Sequence, residues 1–121
     1  MKIIDLRSDT HTKPTKAMME AIMNAEVGDD VFEEDPTVNE LQDMCSMITG
    51  MDAALFVPTG VMGNQLAIKC HTQPGDEVIV ESESHILNYE TAAPSVISNV
   101  QLLPVKGDMG IFTFYRLFPI I

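Results

Sequence analysis

Two short apolar runs, separated by a stretch of helical composition, constrain the fold of this chain most. The runs are AALFV at 53–57 and EVIV at 77–80, and Pro, Gly or Asp bounds each of them. Residues 61–71 between them have helical composition, so the pattern predicts strand, helix and strand. Such a unit normally lies in a parallel sheet, and the predicted fold class is therefore α/β. A third run, VQLLPV at 100–105, is predicted to continue the sheet, with Pro104 near a strand end.

Helices are predicted before and within this pattern. Residues 14–25 read as an amphipathic helix with a proline near its start. A second helix is predicted to begin at Asp35-Pro36-Thr37, with Thr37 and Glu40 at the spacing of a capping box, and to end at Gly50. A short helix is predicted within 84–93. The second helix has one apolar stripe, of which Met44 and Cys45 are predicted to be packing residues: Val38, Leu41, Met44, Cys45 and Ile48.

Charge and composition exclude several classes of function. The 18 acidic and 7 basic residues give a net charge of −11, which would repel nucleic acid and an anionic bilayer. No stretch reaches the roughly 20 apolar residues of a membrane span, and the start lacks the apolar core of a signal peptide. Cys45 and Cys70 lie in predicted helices, which favours reduced, packed thiols in a cytoplasmic protein, with a mitochondrial one as the alternative. Eight carboxylates form either a solvated face or a metal or partner site: Glu26, Asp29, Asp30, Glu33, Glu34, Asp35, Glu40 and Asp43.

The turn Pro58-Thr59-Gly60 leads from the first predicted strand into a helix. Its free peptide N–H groups and the helix dipole favour an anion, and the pattern leaves a structural turn and a phosphate site equally open. A Walker A loop and the dinucleotide fingerprint both require residues that are absent here. His85 follows the next strand, at the edge where α/β folds bind ligands. His85 is also compatible with an exposed position that has no function. Ser8 is also compatible with a structural role in a cap or a turn.

Four separate stretches together resemble one family. They are IDLRSDTHTKPT at 4–15, EVGDDVFEEDPTVNELQ at 26–42, LFVPTGVMGNQLA at 55–67 and GDEVIVESESHILNYE at 75–90. They are similar to the N-terminal part of the threonine aldolases over about residues 3–106. The resemblance implies the large α/β domain of the aspartate aminotransferase-like, fold type I pyridoxal phosphate enzymes, which are usually homotetramers. Those enzymes cleave L-threonine or L-allo-threonine to glycine and acetaldehyde.

The resemblance also implies roles for individual residues. Thr59, Gly60 and Val61 would bind the cofactor phosphate. His85 would stack on the pyridine ring and assist proton transfer at the substrate hydroxyl. Ser8 and Tyr89 would line the substrate side of the pocket, and no metal is expected.

Departures from the family pattern lead to further expectations. Phe32-Glu33 stands where the family usually has Tyr-Gly. Three kinds of family residue have no match in this sequence. They are the lysine that links the cofactor, the aspartate that binds its ring nitrogen and the arginines that bind the substrate carboxylate. We expect residues 1–106 to be the N-terminal part of the aldolase domain and 107–121 a divergent tail, in a truncated chain that is inactive alone. The alternatives are a non-catalytic partner of full-length subunits, a fragment of a related β-eliminating lyase, and a small phosphate-binding module.

Overall fold

The structure is a computed structural model, and it describes residues 4–113 and 115. The chain divides into two compact units, the first ending at Phe56 and the second beginning at Val57. Part of the tail predicted at 107–121, namely 114 and 116–121, lies outside the described residues, and the boundary after residue 106 stays a prediction. Over the described ranges, no helix is long and apolar enough to cross a membrane.

The first unit is helical. It contains α1 (Lys16–Asn24), α2 (Pro36–Thr49) and two 3₁₀ turns (Asp9–His11 and Asp30–Phe32). Thr15 caps α1, since its hydroxyl accepts the Met18 N–H at 3.3 Å. Both long helices lie where the sequence predicts them, because capping residues and apolar periodicity are local signals.

The start of α2 differs in detail from the predicted capping box. Asp35 is the N-cap, and one of its carboxylate oxygens accepts the N–H groups of Thr37 and Val38 at 3.0 and 2.9 Å. The other oxygen accepts the Gly28 N–H at 3.0 Å. Thr37 already lies inside the helix, where its hydroxyl donates to the Glu26 carbonyl at 2.6 Å. The capping box with Glu40 is therefore wrong, because an aspartate at the cap position leaves Thr37 free to bind the preceding loop.

Asp35 is also buried, unlike most of the carboxylates around it. Its hydrogen bonds from the backbone of Gly28, Val38 and Thr37 lower the pKa of its carboxyl, against the opposing effect of burial. At the far end of the helix, Gly50 adopts a φ of 69° and donates its N–H to the Ser46 carbonyl at 2.9 Å. Glycine is favoured there because other L-residues are strained in the left-handed region.

The second unit joins helices to a parallel sheet. Its elements are α3 (Gly60–His71), β1 (Glu77–Glu81), α4 (His85–Asn88), a π-helical turn (Pro94–Ser98) and β2 (Gln101–Val105). β1 and β2 pair in parallel, with Val80 opposite Pro104. Pro104 lies inside β2, where its missing N–H is tolerated because β2 pairs on one side only within the described residues. The predicted α/β class and parallel pairing are confirmed.

The strand predicted at 53–57 does not form. This segment has no pairing partner within residues 4–113, and Leu55 and Phe56 are 73% and 51% exposed. A strand needs a neighbour for its backbone groups, and apolar composition alone does not supply one. The Phe56 N–H instead donates to the Gln42 side-chain oxygen at 2.8 Å.

Buried apolar side chains are few and lie in the second unit. Among the described residues they are Ile68, Val80, Pro94, Val100 and Val105. The α2 stripe is not buried, because no described element covers that face: Leu41, Met44 and Ile48 are all exposed. The packing predicted for Met44 is therefore wrong. Cys45 and Cys70 are free thiols, as predicted, but they too are exposed and not packed.

Candidate functional site

The N-terminus of α3 presents unpaired backbone donors. Thr59 caps the helix: its hydroxyl accepts the Met62 N–H at 3.1 Å and its carbonyl accepts the Gly63 N–H at 3.2 Å. Within the described part of the chain, no hydrogen bond reaches the N–H groups of Gly60 or Val61. The first turn carries no acidic side chain. Two free donors and the positive end of a 12-residue helix dipole suit an anion.

Space is open beside this turn. A Cβ built on Gly60 meets no atom within 4 Å, so the backbone can be approached closely from that side. The three residues predicted to bind phosphate are therefore adjacent at one helix end, with Thr59 as the cap and Gly60 and Val61 as the first helical residues.

His85 opens α4, just beyond the C-terminal end of β1. Its side chain is 63% exposed, and its ring lies 5.3 Å from the Tyr89 ring, centroid to centroid, at an interplanar angle of 35°. Tyr89 itself is exposed. The two predicted residues are thus in contact, and both rings are accessible to a ligand.

Glu90 connects His85 to α3. One of its carboxylate oxygens lies 2.7 Å from the Asn64 amide nitrogen and 2.9 Å from His85 Nδ1. The other oxygen accepts the Gln65 amide at 2.7 Å. The Glu90 side chain is fully buried, and Gln65 is only 5% exposed. A single buried carboxylate therefore holds His85 and the second turn of α3 in one hydrogen-bonded cluster, which we call the Glu90 cluster.

The charge on Glu90 is stabilised by these partners. Burial raises the pKa of the Glu90 carboxyl, but the hydrogen bonds from Asn64, His85 and Gln65, with the charge of His85, outweigh burial and lower it. The carboxylate is consequently ionised at neutral pH. A buried charge is tolerated here because three donors surround its two oxygens.

The backbone immediately after Glu90 is strained. Thr91 and Ala92 have φ angles of 49° and 58°, in the left-handed region that β-branched residues rarely occupy. The π-helical turn Pro94–Ser98 follows. Strained backbone and π-helical turns both recur at functional sites, where the surrounding contacts fix an unusual geometry.

Ser8 lies in the first unit and acts as a cap. Its hydroxyl accepts the Thr10 N–H at 3.3 Å at the start of the turn Asp9–His11, which is the structural alternative considered for it. The sequence reasoning missed the roles of Asn64, Gln65 and Glu90. Two consecutive amides in the otherwise apolar stretch GVMGNQLAI were the available signal, because an amide inside an apolar helix face needs a polar partner.

The sequence is similar to a group of known proteins. Residues 5–120 match the family model described as beta-eliminating lyase. The low specificity L-threonine aldolase of Escherichia coli (strain K12) is 46% identical over 105 residues, which are 87% of this chain and 32% of that protein. Low-specificity L-threonine aldolase 1 of Arabidopsis thaliana is 46% identical over 109 residues, 89% of this chain and 30% of that protein.

A fungal relative extends the same pattern. The low specificity L-threonine aldolase of Saccharomyces cerevisiae is 37% identical over 107 residues, 88% of this chain and 28% of that protein. The chain thus spans about a third of the length of these curated relatives. The resemblance predicted from the four sequence stretches is confirmed.

Proposed function

The chain belongs to the beta-eliminating lyase family, and from that membership we propose that its second unit is the cofactor-binding part of a pyridoxal phosphate-dependent threonine aldolase. The reaction is the retro-aldol cleavage of L-threonine or L-allo-threonine to glycine and acetaldehyde. The names of the relatives favour this reaction over β-elimination. The observation that carries the proposal is the pair of unpaired N–H groups at Gly60 and Val61, about one helical turn before Asn64 and Gln65 of the Glu90 cluster.

The phosphate is bound at the start of α3. The N–H groups of Gly60 and Val61 donate to its oxygens, and the helix dipole stabilises its negative charge. Thr59 stabilises the turn as the helix cap, because its hydroxyl accepts the Met62 N–H. Because the chain carries a net charge of −11, this local positive potential is what allows an anionic cofactor to bind.

His85 acts on the cofactor ring and the substrate. Its exposed imidazole stacks on the pyridine ring, which when bound withdraws electrons from the substrate. The imidazole also accepts the proton of the substrate hydroxyl, the step that a retro-aldol cleavage requires. Tyr89, in contact with the His85 ring, lines the substrate side, and the same role is proposed for Ser8.

The chain alone is predicted to release no acetaldehyde from L-threonine. Its lysines do not resemble the lysine that links the cofactor in the family. Lys69 lies within α3 and donates to the Ile97 carbonyl at 3.2 Å, and Lys16 lies 3.6 Å from Glu20. Acetaldehyde release from L-threonine and pyridoxal phosphate by the purified chain would contradict this prediction.

Two substitutions at Gly60 isolate the phosphate site. Gly60→Pro removes one donor, and the backbone accepts it because Gly60 is the first helical residue and Thr59 is extended at φ −143° and ψ 150°. Gly60→Ala keeps the N–H and adds a Cβ in open space. A charge-assisted hydrogen bond is worth about tenfold in affinity or more. We expect Gly60→Pro to weaken pyridoxal phosphate binding about tenfold relative to Gly60→Ala.

Pyridoxal, which lacks the phosphate, is the matched ligand control. Both variants should bind it equally, since the lost donor faces only the phosphate. Affinities are measured by absorbance titration of the purified chain. Equal binding of pyridoxal phosphate by the two variants would refute the phosphate site at this turn.

A second candidate function is association with copies of the chain or with full-length relatives. The exposed apolar faces of α1 and α2 favour it: Ile22, Met23, Met47 and Ile48 are 62–80% exposed. Co-expression with a full-length relative, followed by sizing of the complexes, tests it, and the absence of mixed oligomers would exclude it.

The predicted location is cytoplasmic or mitochondrial. The two free thiols of the chain support it, because thiols stay reduced in such compartments.

A further inference from the structure

We propose that Glu90 is a positioning residue for His85. The Glu90 carboxylate selects the imidazole tautomer of His85 that keeps the proton on Nδ1 and leaves Nε2 free to accept a proton. The tautomer is a property of the chain itself. Its use against the cofactor and the substrate hydroxyl rests on the function proposed above.

Hydrogen-bond chemistry determines the direction of the contact. An ionised carboxylate can only accept, so the 2.9 Å contact between the Glu90 oxygen and His85 Nδ1 places the proton on Nδ1. A neutral imidazole has one protonated nitrogen, and Nε2 is then the basic atom. No hydrogen bond reaches Nε2 within the described part of the chain, and the side chain is 63% exposed. The free lone pair is therefore open to a ligand.

The orientation of Gln65 indicates that the Glu90 oxygen facing it carries no proton. Gln65 donates its amide to the carboxylate and leaves its own oxygen buried without a partner among the described residues. A proton on that Glu90 oxygen could be donated to the Gln65 side-chain oxygen, and the Gln65 amide would then turn to accept it. The Gln65 oxygen is left without a partner because the Gln65 amide N–H points to the Glu90 carboxylate.

The cluster also fixes where the ring lies. Glu90 is held from α3 by two amides, from Asn64 and Gln65, each at 2.7 Å. The strained residues Thr91 and Ala92 follow directly, and the Ala93 N–H donates to the Glu90 carbonyl at 2.9 Å across this turn. An imidazole bonded to a carboxylate that two amides hold is kept in one orientation, as a stacking residue requires.

Nitrogen NMR of the ¹⁵N-histidine-labelled 121-residue chain tests the proposal directly. At a pH where the imidazole is neutral, we expect Nδ1 of His85 to carry the proton and Nε2 to give the signal of an unprotonated nitrogen. Predominance of the Nε2-protonated form in the unmodified chain would overturn the proposal without any variant.

Two variants separate positioning from a merely structural role. Glu90→Met removes the acceptor at similar volume and should lower the ratio of Nδ1-protonated to Nε2-protonated His85 about tenfold or more. Gln65→Met disturbs the same cluster but leaves the Glu90–His85 contact, so the ratio should stay unchanged. An unchanged ratio in Glu90→Met, or an equal fall in both variants, would refute the assignment. If Glu90→Met does not fold, the unmodified chain and Gln65→Met still decide the outcome.

Pyridoxal phosphate titration of the same samples distinguishes the two proposals. An Nδ1-protonated His85 in a chain that binds no pyridoxal phosphate would leave the Glu90 assignment intact and remove the proposed function. Cofactor binding together with an Nε2-protonated His85 would remove the Glu90 assignment and leave the proposed function intact.

Discussion

At the scale of single residues, Glu90 is a buried carboxylate in the second unit. Its fully buried carboxylate has three donors from Asn64, Gln65 and His85. The sequence places Glu90 beside Tyr89 but gives no sign that it is buried, because two of these donors lie 25 and 26 positions away. The hydrogen bonds of Glu90 form only in the folded chain, where α3 lies beside the loop beyond β1.

The pH dependence of stability should reveal this carboxylate. The pKa of Glu90 in the folded chain lies below its ordinary value of 4.5, so its ionised form stabilises the fold at pH values above 4.5. This contribution is lost as the pH falls through the lowered pKa. Glu90→Gln cannot ionise, and we expect the wild type to exceed it in free energy of unfolding at neutral pH by a margin that narrows in acid.

Urea unfolding followed by circular dichroism at several pH values measures this margin. Comparing the two chains at each pH cancels the other carboxyls with lowered pKa values, among them Asp35 and Glu81. A margin that stayed constant between neutral and acid pH would show that the charge of Glu90 does not contribute.

Individual elements follow the sequence where their signals are local. The caps Thr15 and Thr59 and the terminal Gly50 act within a few residues, and the helices they bound lie where predicted or close to it. The strand predicted at 53–57 fails because pairing requires a distant partner. Composition indicates that a segment could be a strand, whereas only the tertiary arrangement decides whether it pairs.

The end of α2 allows a quantitative test of one such local signal. At Gly50, φ is 69° and an added Cβ meets no atom within 4 Å, so Gly50→Ala adds strain without a clash. We expect a loss of about 1 kcal/mol in the free energy of unfolding, because the left-handed region is unfavourable for alanine by that order. Urea unfolding provides the measurement.

Gly50→Asn is the matched control for this substitution. Asparagine tolerates the left-handed region better than alanine, so its loss should be smaller. Equal losses for alanine and asparagine would indicate that side-chain size, and not backbone strain, limits this position.

At the scale of the whole molecule, the described residues form a small buried core and leave much apolar surface exposed. The buried apolar residues described lie in the second unit, whereas large side chains on α1 and α2 remain exposed. Amphipathic periodicity predicts which helix face is apolar, and here it does so correctly for α2. It does not show what covers that face, because the covering group need not belong to the same 121 residues.

Self-association through these faces gives a testable consequence. Ile48 on α2 is 77% exposed, and Ile48→Lys replaces apolar surface by a charge. We expect the wild-type chain to show concentration-dependent association in analytical ultracentrifugation, and Ile48→Lys to weaken it. Thr49→Lys adds the same charge one residue away without removing an apolar side chain and should have a smaller effect. Equal effects of the two substitutions would attribute the change to charge alone.

The location of the bound cofactor tests the central claim most directly. Amide ¹H–¹⁵N spectra of the chain, titrated with pyridoxal phosphate, report which backbone groups meet the ligand. We predict the largest shifts at Gly60 and Val61, with accompanying shifts at His85, and we predict that pyridoxal without phosphate leaves Gly60 and Val61 nearly unshifted. Saturable binding that shifts other residues and leaves the start of α3 unchanged would contradict the account.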